Sequence, residues 1–301
     1  MKKIESGQVA INDIKMWQRV AHDDVQSNEV PSELLQNEFV ALKNAHGIML
    51  FSFRVPHPIS YDPLNKTERQ MFIPGTPLGT RNKITDLYIR NIPRIAMYTA
   101  KMRRFNPGPL PHDRFKRSNR SWSQAISNRL SLKGVWANLR APVYAHDVKG
   151  YDCSKLLQTA KQSNISHMSF NHCDVSPWHI IQGEGQNLYL VDFKWASNKF
   201  PEHYDITHAV ARLGVAYAQP DLAKKLLGEY EKYLTEKEAG SISYFKSTIQ
   251  GLLAIRTIGE LRDISGSHGN LEETLKAAKG ETKKSLEAVF DFVKEIENKR
   301  F

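Results

Sequence analysis

The stretch from Asn171 to Phe193 constrains this chain more than any other. Two short apolar runs, His179 to Gln182 and Leu188 to Val191, flank Gly183-Glu184-Gly185, which is the pattern of two strands joined by a turn. Asp174 stands just before this hairpin and Asp192 just after it. A tight hairpin brings its ends together, so both carboxylates can face one cleft. Such a pair suits an oxygen-seeking divalent cation that carries a nucleotide. Aspartates that merely cap turns would give the same two residues, so the weight falls on the order and spacing of their neighbours.

Those neighbours are specific. His172-x-Asp174 is followed five residues later by His179, and the second strand ends in Asp192-Phe193. That order is shared with the catalytic and metal loops of kinases. Together with the Pro177-Trp178 pair, the segment resembles the aminoglycoside phosphotransferase and choline kinase group, whose domain has the protein-kinase-like fold. The resemblance covers approximately residues 30–260. It implies an α+β, two-lobed architecture: a reduced N-terminal nucleotide-binding lobe over 1–74, made of a small sheet with one helix, and a larger, mainly helical C-terminal lobe over 75–301 carrying the catalytic hairpin. It also implies ATP and magnesium as cofactors. Asp174 would take or position the proton of an acceptor hydroxyl, and Asp192 would hold the metal. His179 stands where the group has Asn. Imidazole is a poorer ligand for magnesium than for manganese, so His179 is either a second metal ligand or a brace for Asp174. His172 is expected to support the loop, and Asp205, at a helix start in Tyr204-Asp205-Ile206, to accept backbone N–H bonds. Lys194 reads either as a phosphate contact or as a surface lysine.

Upstream, Val30-Pro31-Ser32-Glu33 opens a helix with Ser32 as its expected N-cap and Gly47 as its close. Glu38 lies within it and resembles the glutamate that pairs with a strand cation in the group; an ordinary solvated glutamate is the alternative. Residues 8–21 read as a hairpin turning at Asn12-Asp13, with a second strand from Ile14 to Ala21. Lys15 or Arg19 would then be the phosphate cation, or both are exposed strand charges. Phe72 and Ile73, just before Pro74-Gly75-Thr76-Pro77-Leu78, resemble the hinge whose backbone faces an adenine. No G-x-G-x-x-G precedes them. The turn over the phosphates is therefore minimal, or starts upstream, or nucleotide binding is weakened.

Farther along, Thr85 to Arg104 is helical in pattern, with Pro93 as a kink or a new start. The span from Lys101 to Arg120 carries seven bases against Asp113. It reads as a solvated face or as a rim that collects anions or contacts an acidic surface. Pro220 to Tyr233, Ile242 to Leu261 and Leu271 to Lys299 supply further helices.

At 301 residues and 41% hydrophobic, the chain can bury one sizeable core. Two cysteines, Cys153 and Cys173, argue against a disulfide framework, and the start has no apolar signal core; a cytoplasmic protein is expected. The net charge of +10 permits nucleic acid, but no nucleic-acid-binding motif accompanies it. Two readings stand: a phosphotransferase acting on a small-molecule, sugar or glycoconjugate hydroxyl, or a catalytically silent kinase-like binding module. The near balance of acids and bases over Pro220 to Asp263 points away from a cationic acceptor.

Overall fold

The computed structural model describes residues 4–11, 14–21, 31–46, 53–81, 83–111, 145, 148, 150–162, 165–234, 239–268, 282–298 and 301. Strands β1 (Ile4–Ile11) and β2 (Ile14–Ala21) pair antiparallel from Ile4↔Ala21 to Ile11↔Ile14. β2 has the expected bounds. β1 starts four residues before Gln8 and carries Gly7 inside it, because eight residues of β2 need eight partners. β5 (Thr67–Met71) pairs with β2 and β4 (Pro58–Asp62) with β5, giving a sheet in the order β1-β2-β5-β4.

Helix α1 (Pro31–His46) packs on β4 and β5, burying Leu34, Leu35, Ala41 and Leu42. Pro31 lies within the helix, so Ser32 sits in the first turn and is not the cap. Proline suits that opening position because its missing N–H had no helical partner to lose. The Ser32 carbonyl accepts the Tyr61 hydroxyl at 3.0 Å. The Gly47 closure lies outside the described residues.

A second sheet is built around the hairpin. β8 (Ile180–Gly183) and β9 (Leu188–Leu190) pair antiparallel, with β3 (Phe53–Arg54) parallel to β9 and β6 (Gly75–Pro77) antiparallel to β8. The turn between them puts Gly185 at φ 62° and Gln186 at φ 60°, a left-handed backbone that glycine adopts without strain. Pro74-Gly75 leads into a strand of this sheet. A Cβ on Gly75 would lie 2.3 Å from the Gln182 carbonyl oxygen, so the close approach of β6 to β8 requires glycine.

The helical part begins with α2 (Asp86–Met102), a single helix that runs through Pro93. It is followed by α3 (Ser154–Lys161), α4 (Tyr204–Gly214), α5 (Pro220–Lys232), α6 (Ala239–His268) and α7 (Thr282–Glu297). Residues 251–261 of α6 are buried on every side, as expected of a helix at the centre of a core. A third, two-stranded sheet pairs β7 (Met168–Asn171) with β10 (Ser197–Pro201) and leads the chain into and out of the β8–β9 hairpin. In the basic span, Arg103 is not solvated but pairs with Glu202 in a nearly buried contact. Arg114, Lys116, Arg117 and Arg120 lie outside the described residues. No helix among the described residues is long and apolar enough to cross a membrane.

Candidate active site

Alternation along β2 puts Trp17 and Arg19 on one face, and both line a cavity of about 220 Å³. Trp17 stacks on Phe72, with ring centroids 6.3 Å apart, while Ile73, Trp178 and Ile181 complete the apolar wall. The polar end is formed by Arg19, His179 and Asp192. Lys15 is exposed, and it meets Phe72 only through its backbone carbonyl, which accepts the Phe72 N–H at 3.4 Å. Arg19 is thus the cation that reaches this cavity.

Arg19 binds the carboxylate of Glu38 in a close ion pair and Asp192 Oδ1 at 2.9 Å. Glu38 is fully buried, which removes the solvated-glutamate alternative. Burial raises the Glu38 carboxyl and Arg19 opposes that shift. Burial also works against the charge of Arg19, but Glu38 and Asp192 outweigh it and hold the guanidinium firmly protonated. Glu38 also accepts the Phe193 N–H at 3.2 Å, and Asn37 donates to the carbonyls of Lys194 and Ala196, each at 3.0 Å. Helix α1 is thereby fastened to the turn that carries Asp192.

Asp192 itself has a left-handed backbone, at φ 70° and ψ 56°. Such a conformation is costly outside glycine and is found where surrounding contacts impose it. Its Oδ2 receives Lys194 Nζ at 2.8 Å and His179 Nε2 at 3.0 Å. Although burial favours the neutral form, Arg19 and His179 hold the carboxyl well below the usual range. Lys194 therefore bonds within the site. His179 is kept in place by its Nδ1, 3.0 Å from the Asp174 carbonyl. Burial would lower its pKa, but Asp192 raises it above the ordinary value.

Asp174 Oδ1 accepts the Ser176 hydroxyl in a short bond and lies 3.3 Å from His208 Nε2. Burial opposes its charge, yet His208, His179 and Ser176 hold the carboxyl far below the usual range. The His172 ring accepts the Asp174 N–H at its Nδ1 and donates from Nε2 to the Val191 carbonyl at 3.0 Å, packing edge-on against Phe193. Burial lowers its pKa to about 4, so it is a neutral brace. Asp205 accepts the His172 and Cys173 N–H groups at 2.8 Å each, and burial pushes it up to about 7. Ligand atoms of Asp174, His179 and Asp192 lie within 4.8 Å of one another. Two carboxylates and one imidazole suit a divalent ion, with manganese favoured by the nitrogen.

Several members of the site were missed in the sequence. His208 follows Asp205 by three residues on α4, and that helical spacing is the signal that it shares a face with the loop. Arg256 and Glu260 interrupt the apolar run Leu252 to Leu261, and charges inside a buried helix mark a site or a pair. Glu260 pairs with Arg256 at 2.8 Å and with Arg212 at 3.4 Å. Glu68 had no signal. It lies across the sheet from Arg19, and its two buried carboxyl oxygens have no hydrogen-bond partner among the described residues.

Comparison with solved structures identifies the architecture. The structure of APH(2")-IIia in complex with GDP and kanamycin superposes with a TM-score of 0.52 at 14% identity, over 100% of this chain and 94% of that one. The fold is protein-kinase-like. It is shared with the aminoglycoside phosphotransferase and choline kinase group. Two further matches are Plasmodium vivax ethanolamine kinase, at TM-score 0.49 and 10% identity over 99% of this chain and 85% of that one, and choline kinase LicA from Streptococcus pneumoniae, at 0.49 and 11% over 97% and 89%. At these identities the likeness is one of fold. No family model and no curated protein matches the chain.

Proposed function

We propose that this protein is an ATP-dependent phosphotransferase acting on the hydroxyl of a small molecule, with sugars and glycoconjugates within its range. The observation that carries this reading is the convergence of Arg19, Glu38 and Asp192 from three elements at the polar end of an aromatic-walled cavity. The cavity would take the adenine between Trp17, Phe72 and Ile73, and Arg19 would orient the phosphates. The superposed structure of APH(2")-IIia was solved as a complex with GDP, which supports a nucleotide ligand for this fold. Residues 1–74 would form the nucleotide-binding lobe and 75–301 the acceptor-binding lobe. A count of two cysteines, Cys153 and Cys173, in 301 residues fits a reducing, cytoplasmic setting.

The chemistry follows from the placement of donors and acceptors. Ser176 and His208 both engage Asp174 Oδ1, so Oδ2 is the oxygen that would accept the proton of the acceptor hydroxyl. The acceptor oxygen bonds to the γ-phosphorus, the bond to the bridging oxygen breaks, and ADP leaves. Asp192 and His179 would hold magnesium or manganese, which when bound neutralises charge on the transferring group. Lys194 would stay beside the same phosphates. ADP release from ATP, followed across a panel of sugars, amino alcohols and nucleosides, tests this reading. Turnover with a hydroxyl compound is the expected result, and no turnover across the panel in either metal contradicts it.

One observation favours a second reading, a silent kinase-like module. Both Asp192 oxygens are already met by cationic or donor groups of the chain itself, Arg19, Lys194 and His179. If that cage is permanent, nucleotide binding will not depend on metal.

A further inference from the structure

Beside Asp174 opens a second cavity, of about 300 Å³, at the low end of small-molecule sites. Three guanidinium side chains, Arg212, Arg256 and Arg262, line it together with Asp174, His208 and Asp263. On the assumption that the phosphotransferase reading holds, this is where the acceptor sits. The nature of its wall then bears on what the acceptor is.

The cationic groups are held there by design of the fold. Glu260, buried behind the cavity, receives Arg256 at 2.8 Å and Arg212 at 3.4 Å through the same oxygen. Arg256 also donates to the Tyr204 hydroxyl at 2.9 Å. The Cζ of Arg212 lies over the Trp178 ring, 4.8 Å from its centroid, a cation–π contact that holds the guanidinium against the loop of Asp174. One carboxylate thus anchors two guanidiniums. Arg262 and Asp263, 3.8 Å apart and more exposed, add one charge of each sign. His208, wedged between Asp174 at 3.3 Å and Glu260 at 3.7 Å, brings no compensating negative charge.

The charged groups that line the cavity are three guanidiniums against Asp174 and Asp263; Glu260, behind them, brings the cluster to balance, so one of the counter-charges does not face the cavity. Guanidinium is the side chain best shaped for bidentate binding of carboxylate or phosphate. A cationic acceptor would instead place an ammonium among three arginines.

We propose that this cavity is an anion subsite, and that the acceptor is a small hydroxyl compound bearing a carboxylate or phosphate, held by Arg212 and Arg256 while its hydroxyl faces Asp174. The short path from Asp174 through His208 to the Glu260–arginine cluster keeps the two ends of that molecule a few bonds apart.

Four matched probes test the idea on the full chain: glycerol 3-phosphate, glycerate, glycerol and 3-amino-1,2-propanediol. Calorimetric titration is done with and without a non-hydrolysable ATP analogue. One or both anionic probes are expected to bind at least tenfold more tightly than the neutral and amino ones, and the better of the two tells phosphate from carboxylate. Arg212→Met, which keeps an apolar contact to Trp178, should remove that preference. Arg262→Gln, at a more exposed position, should weaken it severalfold even if the first variant fails to fold. Equal or tighter binding of the amine, binding of none of the four, or an unchanged preference in both variants overturns the proposal. Anion preference without any binding of the ATP analogue keeps the subsite and removes the phosphotransferase reading. Analogue binding without anion preference does the reverse.

Discussion

The guanidinium of Arg19 on β2 lies 2.9 Å from the carboxylate of Asp192, a residue 173 positions later in the chain. Glu38 of α1 closes the same cluster from the other side. Since Asp192 occupies a strained left-handed conformation, its placement depends on these partners as well as on its own turn.

Replacing Arg19 by Lys keeps one charge but loses the planar fork that serves Glu38 and Asp192 together. Arg19→Lys should lower nucleotide affinity about tenfold. Arg19→Met, which leaves the buried Glu38 without its ion-pair partner and takes one of three partners from Asp192, should cost about 3–5 kcal/mol of stability. Urea unfolding and nucleotide titration of both variants check this. If both variants bind nucleotide like the wild type, Arg19 has no role in the cleft.

Asp174→Asn should reduce turnover by about 10²–10⁴ while nucleotide affinity stays near normal, because the residue acts on the acceptor. Ser176 and His208 still have an oxygen to bond in the amide. A variant that keeps more than about a tenth of the wild-type rate removes Asp174 from the role of base.

For His179, the metal decides. His179→Asn supplies an amide oxygen, which suits magnesium better than imidazole does. If His179 is a ligand, the ratio of magnesium to manganese activity rises in the variant. An equal loss in both metals leaves His179 as the brace that its 3.0 Å contact with the Asp174 carbonyl describes.

Stability should depend on pH through His203, which is buried and meets the Tyr230 hydroxyl at 2.6 Å. Burial, with Arg103 nearby, lowers its pKa to about 3. The unfolded chain then binds a proton below about pH 6.5 that the folded chain refuses, so stability is complete above that pH and falls as pH drops toward the folded value. His203→Gln should flatten the fall by about 1.4 kcal/mol per pH unit between pH 6 and 4. Identical slopes for variant and wild type in urea unfolding at those two pH values would count against a neutral, buried imidazole.

Glu68 runs in the opposite sense. Burial, then Glu38, raises its carboxyl well above the ordinary value. Its neutral form supports the fold at low pH, and that contribution is lost as pH rises through the raised value. Glu68→Gln should therefore gain stability over the wild type at pH 8 relative to pH 5. A constant difference between the two pH values would contradict this.

The hairpin was legible in the sequence because short apolar runs around Gly183-Glu184-Gly185 leave few alternatives, and β2 because its alternation ended at a two-residue connection. For Glu38 the sequence left the ion-pairing and solvated readings both open, since burial of one helix face depends on what packs there, and nothing local reports the turn of Phe193 lying against it. The first residue of α1 was misjudged for a local reason: Pro31 fits inside a helix start as well as before one. His208, Arg212 and Glu260 meet only when α4 packs on α6, so their cluster belongs to tertiary structure. Glu68 belongs to it too, since its burial opposite Arg19 follows from strand pairing across 49 positions of chain.

The most direct test of the central claim is calorimetric titration of ATP into the wild type and Asp192→Ala, each with magnesium, with manganese and with chelator. If the cavity beside Arg19 is a metal-assisted nucleotide site, the wild type binds at least tenfold more tightly with metal than with chelator, and Asp192→Ala loses that difference. ATP binding in neither metal, or a metal dependence that survives in Asp192→Ala, contradicts the account.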